Sequence, residues 1–190
     1  MTFAPPNRFA ARRLSLPRTN RSIMPSPLNI ARSQLASARD YTRTLLTDLD
    51  DSLWYTQPPG CPTNIAWQVA HLAFAEYALV LVRVRGKEPD DELLVSNGFW
   101  RRYKKGSEPS LAGADEPTPA ELRATLDRVH DRCLTEMASF TDSQLGAPVP
   151  EPYSGYPNKL GSLLFCSAHE MLHAGQIGLV RRMLGKKPVR

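Results

Sequence analysis

The chain has 190 residues, 42% of them apolar and 23% charged, with 24 basic and 19 acidic side chains and a net charge of +5. These fractions exclude disordered and fibrous classes and leave room for one well-buried core, while the longest uncharged apolar run, Ala78 to Val82, stops at Arg83, far short of the roughly 20 residues of a membrane span. The excess charge is local: residues 1–23 hold five arginines and no acid, leaving 19 basic and 19 acidic residues from Met24 onward, so overall charge offers no argument for nucleic acid.

That tail lacks the apolar run of a secretory signal, and "MPSPL" places a second Met at position 24. Residues 1–23 are therefore predicted to be a disordered or non-native extension, and residues 24–190 one domain. Next in order, Ser26 as N-cap and Pro27 at the first helical position open a helix. Leu28, Ala31, Leu35, Ala38, Thr42, Leu45 and Leu49 follow at spacings of three and four, an apolar stripe on one face.

A second helix is predicted after "QPPGCPTN", capped by Thr63 or Asn64 and running through "IAWQVAHLAFAEYALVLVRVR" to Gly86. It is apolar nearly all round, so it is expected to be the most buried. Residues 87–117 form a long polar connection containing "GFWRRYKKGSEPS". Thr118 and Glu121 then make a capping box for a third helix, with Leu122, Leu126, Val129, Cys133, Met137 and Phe140 on one face. The Pro-rich segment 146–157 precedes a fourth helix from about Asn158 to Leu184, which ends at Gly185 with Arg181 and Arg182 in its last turn. No stretch alternates as a strand does, so the fold class is all-α: a four-helix bundle with a long connection between helices 2 and 3.

The fourth helix contains "AHEMLHAGQ", in which His169, Glu170 and His173 have H-E-x-x-H spacing. At 100° per residue the two histidines lie about 40° apart and can share one metal ion. A zincin-type protease needs a third ligand downstream, yet residues 174–190 contain no His, Asp, Glu or Cys. His71, set among apolar residues of the second helix, is the upstream source: a buried imidazole is costly unless its nitrogens are paired, and coordination would pair it.

Other candidates remain. Cys166, one turn before His169, is a possible thiolate ligand or core filler. Glu170 lies about 100° from His169 and is a candidate base or supporting carboxylate. His130 is expected at the edge of the third helix's apolar face, and Glu76 is too far around its helix from His71 to ligate with it. A ferritin-like di-iron site lacks ligands, because the first helix has no glutamate and no second E-x-x-H exists. "WRRYKK", residues 100–105, interleaves aromatic and basic side chains as single-strand binders do, but it reads more simply as a solvated loop or short helix. The three cysteines, Cys61, Cys133 and Cys166, include no C-x-x-C pair, which fits reduced thiols in a cytoplasmic protein.

"AWQVAHLAFAEY" on an early helix and "SAHEMLHAGQIGLVRRMLG" on the last one resemble the DinB-like superfamily, which includes bacillithiol transferases and mycothiol-dependent maleylpyruvate isomerase. The resemblance covers about residues 26–187. It implies a helical bundle holding one divalent metal on His71, His169 and His173, a role for Gln176 just beyond the last ligand, and often a homodimer.

Three neutral ligands would leave a divalent ion (zinc, nickel or iron) with its full charge, able to acidify a bound thiol or water. The expected activity is transfer of a low-molecular-weight thiol, favoured by the resemblance alone, or hydrolysis of a small molecule, with Glu170 and Gln176 as catalytic candidates. Nucleic acid and membranes are not expected partners. A non-catalytic metal-binding or sensing bundle is the alternative. The site's mouth is expected at Pro58–Thr63 and Pro150–Pro157; helical rise suits parallel second and fourth helices, and an antiparallel pair nearly as well.

Overall fold

The computed structural model describes residues 25–113, 115–149 and 157–189. The expectation for residues 1–23 lies outside the described residues. Four long helices carry the core. Helix α1 (Pro27–Leu46) starts where the Ser26 hydroxyl accepts the Asn29 N–H. Its last turn stops short of Leu49, which is nevertheless buried just beyond it.

Helix α2 (Ile65–Glu76) is capped by Asn64, whose side chain accepts the Trp67 N–H. It continues without interruption through a π-helical stretch, Tyr77–Val82, and a final turn, Arg83–Arg85, to Gly86 at φ 96°. Two short helices, α3 (Asp91–Leu94) and α4 (Asn97–Tyr103), occupy the long connection. Helix α5 (Pro119–Met137) carries the complete Thr118–Glu121 capping box, so Phe140 packs from beyond its end. After the short α6 (Asp142–Gly146), helix α7 (Lys159–Met183) begins at the Asn158 cap. Among the described residues the only β-type pairing is an isolated bridge between Pro148 and Asn158.

Helix α1 lies chiefly against α7, and α2 lies against both α5 and α7. Side-chain contacts fix the direction of the α2–α7 pair. Lys159 Nζ, at the start of α7, donates to the Val84 carbonyl, and Ser162 Oγ donates to the Leu79 carbonyl. His173, late in α7, meets Gln68, early in α2. The two helices are therefore antiparallel, the second of the two directions the sequence left open: rise per residue measured from each helix start cannot distinguish them when a ligand candidate sits near mid-helix.

By length and composition Ile65–Arg85 could cross a membrane, although Glu76 and His71 interrupt its apolar runs. In the fold most of this helix is buried. Helices α5 and α7 pack against it, and Gln68, His71, Glu76 and Arg85 have partners inside the protein.

At the centre the core is ionic. Arg39 of α1 is 0% exposed, Glu76 of α2 and Glu170 of α7 are 1% exposed, and His130 of α5 is 3% exposed, so each long helix contributes one member. The Arg39 guanidinium donates through Nε to Glu170 Oε1 at 2.7 Å and through Nη2 to Glu76 Oε2 at 2.6 Å. Its Nη1 donates to the Leu126 carbonyl at 2.7 Å. His130 Nδ1 meets the other Glu76 oxygen at 2.9 Å. His130 is thus a core residue and not the boundary residue its helical angle suggested, because Glu76 supplies the partner that makes burial tolerable.

Replacing Arg39 with Met strands two buried carboxylates. The expected cost is about 3–5 kcal/mol of unfolding free energy, read from urea denaturation; a loss below about 1 kcal/mol would show that the cluster contributes little to stability.

Candidate metal centre

His71 lies near the middle of α2, and His169 and His173 lie one turn apart on α7, so the antiparallel packing brings the three rings to one place. Ring centroids are 5.3 Å apart for His71–His169, 4.7 Å for His71–His173 and 4.5 Å for His169–His173. One nitrogen from each ring can be chosen so that all three lie within 4.8 Å of one another. Metal–nitrogen bonds of about 2 Å can close that spacing with small ring rotations.

Two of the rings are already oriented from behind. His71 Nδ1 donates to the Tyr103 carbonyl at 2.6 Å, which leaves Nε2 with its lone pair free for a cation. His173 Nδ1 lies 2.5 Å from Gln68 Oε1. The Gln68 amide nitrogen donates to the Thr63 hydroxyl at 3.0 Å, so its oxygen faces the ring and Nδ1 is the donor there too. Trp67 stacks on His71 with centroids 4.7 Å apart and planes within 5°. A ligating histidine held through its other nitrogen is the usual arrangement around a bound metal.

Electrostatics keep these rings neutral. Burial, reinforced by the neighbouring imidazoles, pushes His169 down to about 4 and His173 down to about 3. Burial also lowers His71, against the opposing effect of its bond to the Tyr103 carbonyl. One buried and two half-buried imidazoles gathered around one point fit a divalent cation better than they fit one another.

The cluster opens onto a cavity of about 680 Å³ between α2 and α7, partly covered by the connection from α2 to α5. Phe74 and Phe165 line it from the long helices, and Trp100, Lys105 and Gly106 line it from the connection. The connection is pinned there: Trp67 Nε1 donates to Ser107 Oγ at 3.0 Å, and Asn64 Nδ2 donates to the Ser110 carbonyl at 2.8 Å. "WRRYKK" is therefore a wall of this cavity, contributing Trp100, Lys105 and, through its main chain, the Tyr103 carbonyl. Sequence periodicity carries no signal for such a loop contact. Gln68 was also missed, although a second polar side chain on an otherwise apolar helix was the available clue.

Other candidates fall elsewhere. Glu170 turns away from the cavity into the Arg39 pair, as its angle of about 100° from His169 permits. A catalytic base at Glu170 is thus at odds with its surroundings. Glu76 is in the same ionic cluster. Cys166 is buried among Glu76, Glu170 and Arg39, and burial raises its thiol pKa well above the ordinary value, so it is no thiolate ligand to the histidine site. Gln176 is exposed and does not line the cavity; its side chain opposes the lowering of the His173 pKa. Pro58–Thr63 does not line the cavity directly, although Thr63 reaches it through Gln68. The expected rim at Pro150–Pro157 falls outside the described residues except for Pro157, and Val149 beside it does line the cavity.

A profile of the DinB superfamily matches residues 34–177, a span that takes in all three histidines and all four members of the ionic cluster. No curated protein matches the chain.

His71→Ala should release most of the metal from purified protein, as measured by elemental analysis. Gln68→Leu keeps all three ligands but loses the partner of His173, and should weaken metal affinity by about 10–100-fold in a chelator competition. Unchanged affinity in Gln68→Leu would show that this hydrogen bond does not orient the ligand.

Proposed function

The chain belongs to the DinB superfamily, and on that premise we propose that it is a divalent-metal-dependent enzyme acting on small molecules, with transfer of a low-molecular-weight thiol as its reaction. The observation that carries this reading is the position of the three imidazoles on the wall of a roomy cavity, where a substrate can approach a bound ion. His71, His169 and His173 would hold the metal. When bound there, it supplies Lewis acidity that lowers the pKa of a thiol or water.

The protein's own groups do the rest. The Tyr103 carbonyl and Gln68 hold two rings so that their free nitrogens need little reorganisation on binding. Phe74, Trp100 and Phe165 line the approach and would limit the water there. In the transfer, the thiol proton passes to solvent, a sulfur–carbon bond forms, and the leaving group departs with its bonding pair.

Thiol transfer is favoured over hydrolysis by a specific feature of the site. Zincin-type hydrolysis uses the glutamate of H-E-x-x-H as general base, and here Glu170 is held by Arg39 away from the cavity. Among the described residues, no carboxylate lines the cavity. A thiol, more acidic than water by several pKa units, needs no such base once a cation stabilises its anion. A non-catalytic metal-binding module is the weaker alternative, because a structural site usually closes around its ion with four protein ligands.

A panel of cellular thiols offered with monochlorobimane should show thiol-dependent fluorescence from the metal-loaded protein, with chloride as leaving group. Chelation should abolish it and restored metal should recover it. Metal-dependent ester hydrolysis that proceeds without any thiol, together with no thiol transfer, would reverse the order of the two reactions.

A further inference from the structure

The cavity runs on well past the histidines. It follows one face of α2 from His71 through Phe74, Ala75 and Ala78 to Leu79 and Val82. Val82 lies roughly three helical turns beyond His71, on the order of 15 Å along the axis. The histidines occupy one end, where Lys105 is exposed two residues after the Tyr103 carbonyl that receives His71. Arg83, at the other end, already has an interaction of its own. Between the two ends the lining is aliphatic and aromatic.

This wall is held in place from behind. Trp100 has Phe74 at 5.3 Å and Tyr77 edge-on at 6.3 Å between ring centroids, and Lys87 Nζ lies 5.8 Å from its own centroid. Ala78, Leu79 and Val82 belong to the π-helical stretch, a form that recurs at functional sites. The Ser162 hydroxyl of α7 donates to the Leu79 carbonyl at 2.9 Å and anchors that stretch. Ala78, Val82, Trp100 and Phe165 are only half-buried, so apolar surface faces the cavity and gains from an apolar guest.

We infer that the substrate of this site carries an uncharged apolar body, lying along Phe74 and Trp100 and reaching past Ala78 toward Val82, with its polar reacting group at the histidine end. A charged group on that body would be desolvated between the two ends without a partner, at a cost that selects against it. Ala75 and Ala78 are the specificity-determining positions, because their small side chains set how far the body reaches. This deepens the proposed function by naming its acceptor substrate as an apolar electrophile. Only the word electrophile rests on the proposed reaction; the apolar body rests on the cavity wall.

Unreactive primary alcohols, n-butanol to n-octanol, measure the wall by displacing the uncharged dye N-phenyl-1-naphthylamine from the zinc-loaded full chain. Each added methylene should tighten binding about three- to fourfold, the transfer free energy of one buried CH2. Octane-1,8-diol should bind about tenfold more weakly than n-octanol, because its second hydroxyl enters the apolar stretch unpaired. Ala78→Leu fills the cavity partway along and should remove most of the advantage of n-octanol over n-butanol, while n-butanol, seated nearer the histidines, keeps its affinity. Ala78→Val serves if the larger side chain prevents folding.

Affinity that does not rise with chain length would overturn the inference. So would octane-1,8-diol binding as tightly as n-octanol, or Ala78 variants that affect the two alcohols equally or not at all. Metal content measured on the same samples keeps this test apart from the proposed function. The alcohols require no thiol and no turnover, so a chain that shows the expected series but transfers no thiol keeps its apolar site and loses only the proposed reaction.

Discussion

The Arg39 guanidinium ties together groups from all four long helices. It donates to Glu76 on α2, to Glu170 on α7 and to the Leu126 carbonyl on α5, while Glu76 passes the connection on to His130. A buried cluster of this kind is a poor source of net stability, since desolvation offsets much of its attraction. Its effect is selective: a helix rotated or shifted by one residue would leave a charge buried without a partner, at a cost apolar packing would not impose. The cluster therefore specifies how α7 is turned.

That rotation has a direct consequence for the metal centre. His169 and Glu170 are adjacent, so their side chains leave the helix about 100° apart. With Glu170 committed to Arg39, His169 must face the gap between α2 and α7, and His173 follows one turn later on the same side. The protease-like local sequence is divided in two by the fold. Its histidines go to the cavity and its glutamate goes to the core. The same spacing that serves a zincin here goes with a different third histidine and, among the described residues, no carboxylate lining the cavity.

The connection between α2 and α5 completes the site from outside the long helices. Its main chain orients His71 through Tyr103, and its side chains supply Trp100 and Lys105 to the cavity wall. Ser107 and Ser110 anchor it to Trp67 and Asn64 at the start of α2. The asymmetry of the bundle, with one long connection among shorter ones, thus has a chemical counterpart: two helices hold the ligands, and the connection shapes what can approach them.

Local rules were enough for the all-α class, for the caps at Ser26 and Thr118, and for the His169–His173 pair, because each depends on residues within one or two turns; they left Thr63 and Asn64 both open as the second cap, which the structure assigns to Asn64. The DinB-like resemblance and the anomalous polarity of His71 also point to it as the third member of the histidine cluster. Only the tertiary structure decided that α2 and α7 are antiparallel, that His130 belongs to the core, that Glu170 pairs with Arg39 and not with the site, and that "WRRYKK" forms a wall. Each of these depends on the relative rotation and direction of segments far apart in the chain. Periodicity identifies the buried face of a helix but not the partner that waits there, so buried polar pairs and loop-to-helix contacts emerge only when the helices are assembled.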